Sequence, residues 1–198
     1  LLTGNSHMPQ YPFIQVDAFT DRALGGNPCA IIFDADDLDD ATRLAIAREN
    51  NLSETAFVVR SDVADFGARY FTPAEEIPLA GHPTIATVFA LIDSGRLRLT
   101  SDLTTISLEL KVGPIRVDIQ SVAGVPRHII MSQKQPQFLR TYDPGDILPI
   151  FGLSIGDALP NVPIQTVSTG TPQLMVPVTS LDALRRLNVN AAEFARLH

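Results

Sequence analysis

A glutamate stands at the start of a short apolar segment in the first third of the chain. Glu54 belongs to the stretch NLSETAFVV, whose apolar residues predict a buried strand over residues 55–59. Burial favours the neutral form of a carboxyl group, and a carboxyl group that exchanges its proton near pH 7 can serve as a general acid or base. The alternative is a strand-end carboxylate that reaches solvent or accepts a backbone hydrogen bond. The local pattern alone favours this alternative.

A histidine lies where a helix is predicted to begin. In the segment Gly81-His82-Pro83, the proline is the predicted first residue of a helix over residues 83–94, and Gly95 follows its end. The first N–H groups of a helix are unpaired and carry partial positive charge, and a glycine lets a ligand approach the backbone closely. The segment could therefore bind a substrate carboxylate or a developing enolate. Alternatively, His82 only caps the helix, and the pattern favours neither interpretation.

Other polar residues are weaker candidates. Asn27, in the stretch GGNP, could hold a polar substrate, although this stretch is more typical of a turn. Cys29 is followed by apolar residues, which predicts a small buried side chain and not a nucleophile. The aspartates at positions 36–40 lack the spacing of a calcium-binding loop and are typical of a solvated loop and a helix cap. No metal site is predicted, and no nucleotide cofactor is expected because no glycine-rich phosphate loop follows a strand.

The elements that position these residues indicate an α+β fold. The predicted helix over residues 83–94 is apolar on nearly all sides and too short to span a bilayer, which is typical of a helix buried within a domain. A second helix is predicted from a cap at Asp39 or Asp40 to Asn50. Many strands around one central helix favour α+β over a doubly wound fold. Further strands are predicted over residues 11–19, 29–33, 68–71, 105–110, 115–119, 127–131, 164–167 and 174–178.

The second half of the chain carries a weak internal repeat. The stretch STGTPQLMVPV, which begins at Ser168, resembles SETAFVV in having a polar, turn-prone start before an apolar strand. A second glycine-containing loop and a second apolar helix would be expected to follow, but two short helical segments follow instead. We therefore predict an N-terminal domain over residues 8–121 and a partial second domain of the same kind over residues 122–198.

Composition and charge exclude several classes of protein. The chain has 198 residues, of which 45% are hydrophobic and 19% charged, which is typical of a globular protein of one large or two small domains. The net charge of −7 without a Lys/Arg cluster excludes nucleic acid and anionic membrane surfaces as expected partners. With one cysteine and no apolar run of membrane-spanning length, a cytoplasmic protein is expected. Residues 1–7 do not have the features of a signal peptide and are expected to be an expression scar.

Four segments together resemble the PhzF-like family, which is named for phenazine biosynthesis. The segments are MPQYPFIQVDAFTDRALGGNPCAIIF, ARENNLSETAFVV, ARYFTPAEEIPLAGHPTIATVFAL and VSTGTPQLMVPV, in the order and spacing of the family over residues 9–178. The resemblance implies a diaminopimelate-epimerase-like fold. In that fold, two similar α+β domains each wrap a curved mixed sheet around a central helix, and the active site lies between them.

The resemblance also implies an activity and a set of site residues. The best-understood family members isomerise trans-2,3-dihydro-3-hydroxyanthranilate without a cofactor, and by this match Glu54 would be the acid and base that moves the proton. Gly81 and His82 match the family's GHPT loop, which contacts the substrate and assists proton transfer. Weaker substrate-binding matches are Asn27 in the GNP turn and Thr169 and Gly170 in the STG loop.

The sequence departs from the pattern of the fold and the family in two respects. Racemases of this fold use two cysteines as acid and base, and a chain with one cysteine cannot use that mechanism. The family's second domain also brings an aspartate and a Gly/Ser loop that nothing after Val178 matches. The leading hypothesis is a homodimeric, cofactor-independent isomerase of a small carboxylate-bearing substrate. Its rivals are a catalytically silent small-acid-binding or dimerisation module and, less favoured, an epimerase that uses Cys29 with Glu54.

Overall fold

The structure is a computed structural model and describes residues 9–197. The chain divides after Gln133 into two compact units, and each unit has its own sheet and hydrophobic core. The expected expression scar at residues 1–7 lies outside the described residues. No described helix is both long enough and apolar enough to cross a membrane.

The first unit is built on one mixed sheet of eight strands. The strands are β1 (Phe13–Ala18), β2 (Asn27–Ile32), β3 (Glu54–Val59), β4 (Phe66–Phe71), β5 (Glu76–Ile77), β6 (Leu103–Leu110), β7 (Gly113–Val122) and β8 (Val125–Met131). Their order is β1-β2-β3-β4-β6-β7-β8, with β5 also paired to β4. The pairs β2–β3 and β4–β6 are parallel, and the other neighbouring pairs are antiparallel.

Helix α2 (Gly81–Asp93) lies on the concave side of this sheet. It contacts both edge strands, β1 and β8, as well as β2 and β3, so the sheet curves around it. Ala86, Val88, Ala90 and Leu91 of the helix are almost completely buried among the inner-face side chains of the sheet. The prediction of a central, buried helix within an α+β fold is confirmed.

The predicted start of this helix at Pro83 is wrong. The N-cap is Ala80, the helix begins at Gly81, and Pro83 is its third residue. Proline is tolerated there because the first N–H groups of a helix have no intrahelical partner to lose. The predicted end is confirmed, since Gly95 has a left-handed φ of 72° and donates to the Ile92 carbonyl at 3.0 Å.

Helix α1 (Asp40–Asn50) packs on the opposite face of the sheet. Asp39 is its N-cap, and the Asp39 side chain accepts a hydrogen bond from the Thr42 N–H at 2.7 Å. Ala47 of the helix is buried against Phe57 and Phe71 from β3 and β4. The predicted helix and its aspartate cap are confirmed.

The second unit has a three-stranded antiparallel sheet in the order β11-β10-β9. Its core side chains are Ile147, Leu148, Leu153, Ile164 and Ala183. The elements of this unit are β9 (Gln137–Tyr142), α3 (Pro144–Ile147), β10 (Ile164–Ser168), β11 (Pro172–Met175), α4 (Leu181–Arg185) and α5 (Ala191–Phe194). The predicted domain boundary at 121/122 falls at the end of β7, and β8 beyond it still belongs to the first sheet.

Candidate active site

Glu54 is the first residue of β3. Alternation along the strand places it on the same face as Ala56 and Val58, which belong to the core around α2. Glu54 lies next to Cys29 in the register of the parallel pair β2–β3. Its side chain is 17% exposed, so the expected partial burial of this carboxyl group is confirmed.

The carboxyl group of Glu54 meets His82 from the first turn of α2. Oε2 of Glu54 lies 3.2 Å from Nε2 of His82, whose side chain is 9% exposed. The distance is that of an ion pair, but the alignment is not that of a hydrogen bond, and neither atom has another hydrogen-bond partner among the described residues. Buried polar atoms are rarely left unpaired, and catalytic hydrogen bonds are often misaligned until substrate binds. The two atoms are therefore available to a third polar group.

The surroundings favour a neutral His82. Burial lowers the pKa of the imidazole, and the negative charge of Glu54 and a hydrogen bond to the Pro28 backbone offset only part of this effect. Pro28 has no N–H, so the imidazole is the donor in that hydrogen bond. Since Nε2 has no hydrogen-bond partner, the donor is Nδ1, and neutral His82 presents the lone pair of Nε2 to Glu54.

The first turn of α2 supplies backbone donors beside this pair. Ala80 makes no side-chain cap hydrogen bond, and the N–H groups of Gly81 and His82 belong to the set that a helix leaves unpaired at its start. Pro83 has no N–H to add. A Cβ built on Gly81 would meet no atom within 4 Å, so the space beside this backbone is open. The first turn of α2 can therefore bind a negatively charged group of a ligand.

Cys29 is buried beside Glu54 and is not an ionised nucleophile. It is completely inaccessible to solvent, as predicted, and its thiol donates to the Ala30 carbonyl at 3.6 Å. Burial and the nearby charge of Glu54 raise the pKa of the thiol to about 12. Cys29 also forms no metal site, because no group of three or more His, Cys, Asp or Glu side chains among residues 9–197 could hold an ion.

Asn27 lies in a strand and does not belong to a turn. It is the first residue of β2 and pairs with Ala18 across the β1–β2 hairpin, which corrects the assignment from the GGNP pattern. Because Asn27 precedes Cys29 by two residues in the strand, both lie on the inner face of the sheet. An exposed amide at this position can contact a polar ligand.

Thr169 and Gly170 belong to the second unit. They form the connection between β10 and β11, and the Gly170 N–H donates to the Ser168 hydroxyl at 3.2 Å. This is a local turn in which a serine side chain binds the backbone two residues on. Their role in substrate binding stays a prediction.

Two buried hydroxyl groups near the pair were not recognised in the sequence. Tyr70 of β4 and Thr84 of α2 are 1% and 0% exposed, and their side-chain oxygens are 3.1 Å apart. Thr84 is the last residue of the GHPT segment, and Tyr70 lies in the strand pattern ARYF. These positions predict burial, but sequence spacing does not identify the hydrogen-bond partner of a buried hydroxyl.

The chain is similar to proteins of one known family. The family described as phenazine biosynthesis-like protein matches residues 16–198 of the chain. The chain belongs to the phenazine biosynthesis-like family. Among the curated members it is similar to, the trans-2,3-dihydro-3-hydroxyanthranilate isomerase of Pseudomonas fluorescens is 34% identical over 190 residues. The match covers 94% of this chain and 64% of that protein.

Solved structures of this family and of a hydroxyproline epimerase share the fold. A phenazine biosynthesis protein of the PhzF family from Bacillus anthracis has a TM-score of 0.78 at 35% identity, and the match covers 90% of this chain and 59% of that protein. A hydroxyproline epimerase from Agrobacterium vitis has a TM-score of 0.56 at 12% identity over 81% of this chain and 50% of its own, which shows the fold alone. The expected diaminopimelate-epimerase-like fold is confirmed. The chain spans less than two thirds of the length of the Pseudomonas fluorescens and Bacillus anthracis relatives.

Proposed function

We propose that the chain carries the proton-transferring residues of a cofactor-independent isomerase that acts on a small carboxylate-bearing substrate. The observation that supports this most strongly is the contact of Oε2 of Glu54 with Nε2 of His82 at 3.2 Å, both buried and beside the open backbone of Gly81. The name of the Pseudomonas fluorescens relative supports a substrate that resembles trans-2,3-dihydro-3-hydroxyanthranilate.

Glu54 is the base of the first step and the acid of the second. As a carboxylate, it takes a proton from a substrate carbon beside an unsaturated system, and the C–H electron pair enters that system. The N–H groups of Gly81 and His82 stabilise the negative charge that develops on the substrate. Glu54 then returns the proton to a different carbon, so no electrons are gained or lost.

Between the two proton transfers, His82 accepts a hydrogen bond from the protonated carboxyl group of Glu54. Its Nε2 is 3.2 Å from Oε2, and a neutral imidazole accepts a hydrogen bond from a protonated carboxyl group there. A protonated imidazole would instead hold Glu54 as the carboxylate and oppose its protonation. The lowered pKa of His82 therefore suits a carboxyl group that must alternate between its two forms.

The test is solvent-deuterium incorporation into trans-2,3-dihydro-3-hydroxyanthranilate, followed by mass spectrometry. We expect exchange by the wild-type chain and exchange at least about 100-fold slower with Glu54→Gln, which removes the acid/base group and keeps its shape. Glu49→Gln is the matched control, because Glu49 is an exposed glutamate on α1. Equal exchange by the wild type and Glu54→Gln would contradict the role of Glu54.

A second candidate function is small-acid binding or dimerisation without turnover. It is supported by large apolar side chains on the second unit, since Phe138, Ile155 and Leu181 are each more than two thirds exposed. Calorimetric binding of anthranilate without deuterium exchange would favour this candidate.

We also propose a homodimer, which sedimentation of a monomer at all concentrations would contradict. The proposed cytoplasmic location is supported by the single cysteine.

A further inference from the structure

Two hydroxyl groups connect the sheet to the first turn of α2. The Thr84 hydroxyl donates to the Ala80 carbonyl at 2.8 Å, and its oxygen lies 3.1 Å from the phenol oxygen of Tyr70. Because a hydroxyl group has one proton to donate, Tyr70 donates to Thr84 while Thr84 donates to Ala80. The direction of both hydrogen bonds is thus fixed by the backbone carbonyl at the end of the chain of contacts.

This chain of contacts joins α2, which carries His82, to β4, the strand that pairs with the one carrying Glu54. Tyr70 is paired with Ala56 across β3 and β4, and Ala56 follows Glu54 by two residues on the same face. Thr84 follows His82 by two residues in α2. One end therefore lies in the strand beside Glu54, and the other lies in the turn that holds His82.

The first turn of α2 needs such a connection because it has no side-chain cap. In α1, the carboxylate of Asp39 fixes the first turn by accepting from the backbone, whereas Ala80 has no group that could do so. Gly81, the first helical residue, adds backbone freedom. The Thr84 hydroxyl instead holds the Ala80 carbonyl, and Tyr70 ties Thr84 to the sheet.

We propose that Tyr70 and Thr84 are positioning residues for the Glu54–His82 pair. They fix the first turn of α2 against β4 and so keep Nε2 of His82 next to Oε2 of Glu54. The effect of this positioning on catalysis rests on the proposed function, but the position of His82 next to Glu54 can be measured without substrate. Reactions that depend on proton transfer at a defined contact lose rate steeply when that contact moves by about 1 Å.

The test is a double-mutant cycle read at the His82 imidazole by NMR. Its titration midpoint is measured with Glu54 and with Glu54→Gln, first in the wild type and then in Tyr70→Phe and Thr84→Val. The Glu54 charge opposes the fall in the pKa of His82, so Glu54→Gln lowers the midpoint in the wild type. We expect loss of either hydroxyl to reduce this Glu54-dependent shift by about half or more, because the turn is no longer held.

The other titratable groups that face this turn do not change charge in the same range. On the inner faces of β2 and β4 they are Cys29 and Tyr70, while Glu54 on β3 is the partner whose charge the cycle removes. Burial raises the pKa of Cys29 to about 12, and burial raises the pKa of Tyr70 as well. The Glu54-dependent shift therefore reports on the Glu54–His82 contact.

Two further variants separate positioning from general stability. Thr84→Ser keeps the hydroxyl and is expected to retain the wild-type shift. Tyr142→Phe removes the same kind of bond from the second unit, where the Tyr142 phenol lies 2.8 Å from the Thr166 hydroxyl, and is also expected to retain it. If Thr84→Val does not fold, Tyr70→Phe decides alone, because it keeps the aromatic ring and its packing. An unchanged Glu54-dependent shift in Tyr70→Phe would overturn the proposal.

The exchange assay distinguishes failure of this proposal from failure of the proposed function. With trans-2,3-dihydro-3-hydroxyanthranilate in D₂O, we expect Tyr70→Phe to lower kcat about tenfold and to leave KM within about twofold. A wild-type chain without exchange, but with the expected NMR result, would contradict the function and support the positioning. An unchanged NMR shift would contradict the positioning at any exchange rate.

Discussion

Cys29 of β2 lies beside Glu54 of β3 in a parallel strand pair, and its thiol is completely buried. Burial and the neighbouring carboxylate both disfavour a thiolate, so the pKa of Cys29 rises to about 12. A cysteine with this pKa cannot act as a base at neutral pH. The geometry thus argues against the epimerase that would use Cys29 with Glu54, and it is consistent with the proposed roles of Glu54 and His82.

We predict that Cys29 resists alkylation in the folded chain. At pH 8 a thiol with a pKa of about 12 is ionised in only about one molecule in 10,000, and the site is closed to solvent. Iodoacetamide is expected to leave the intact mass unchanged for hours, and to add one label in urea. Stoichiometric labelling of the folded chain at the same rate as in urea would contradict this prediction.

The burial of His82 predicts that stability falls between pH 7 and pH 5. The pKa of His82 is lowered below 6.5 in the folded chain, so the unfolded chain binds more protons in this range and stability rises with pH. One proton contributes at most about 1.4 kcal/mol per pH unit. We expect His82→Gln to flatten this slope in urea unfolding. His128→Gln is the control, because His128 is exposed on β8, and an equal flattening by both variants would contradict the assignment.

The sequence predicts the elements of the first unit better than it predicts their contacts. The apolar segment after Glu54 and the apolar helix after His82 are found close to the expected positions because each has a strong local pattern. The 3.2 Å contact between Glu54 and His82 joins residues far apart in the chain, so it depends on how the sheet curves around α2. Local patterns contain no information on that distance.

The differences from the predicted elements have physical reasons. Pro83 indicated a helix start, but a proline is also tolerated in the third helical position, so the pattern could not distinguish the two. The strand β9 was not predicted, because the stretch after residue 136 is rich in proline and glycine. Asn27 was assigned to a turn on its neighbours Gly26 and Pro28, although strand pairing with Ala18 decides its conformation.

Gly81→Ala is predicted to affect stability and activity in opposite directions. A Cβ at Gly81 would meet no atom within 4 Å, and the backbone there does not have the left-handed φ that disfavours alanine. Alanine should therefore stabilise the helix by up to about 1 kcal/mol. The same methyl group would occupy the space in which a ligand approaches the N–H groups, and deuterium exchange should fall. Urea unfolding and the exchange assay measure the two effects. Gly156→Ala, where a Cβ makes only an ordinary contact at 3.8 Å, is the control and should leave exchange unchanged.

Arg69 is predicted to be important for stability because it joins three elements. It binds Glu76 on β5 and Asp40 on α1, and the Glu76 side chain is 9% exposed. Burial raises the pKa of Glu76, but hydrogen bonds from Arg69 and Lys111 outweigh this and lower it below 4.5. This contribution to stability is present above pH 4.5 and is lost as the pH falls further.

We expect Arg69→Met to lower the free energy of unfolding by about 1–3 kcal/mol at pH 7 and by less at pH 3. Arg185→Met, which removes a largely exposed pair with Asp182, should cost less than about 0.5 kcal/mol. Equal losses in the two variants would contradict the role of Arg69.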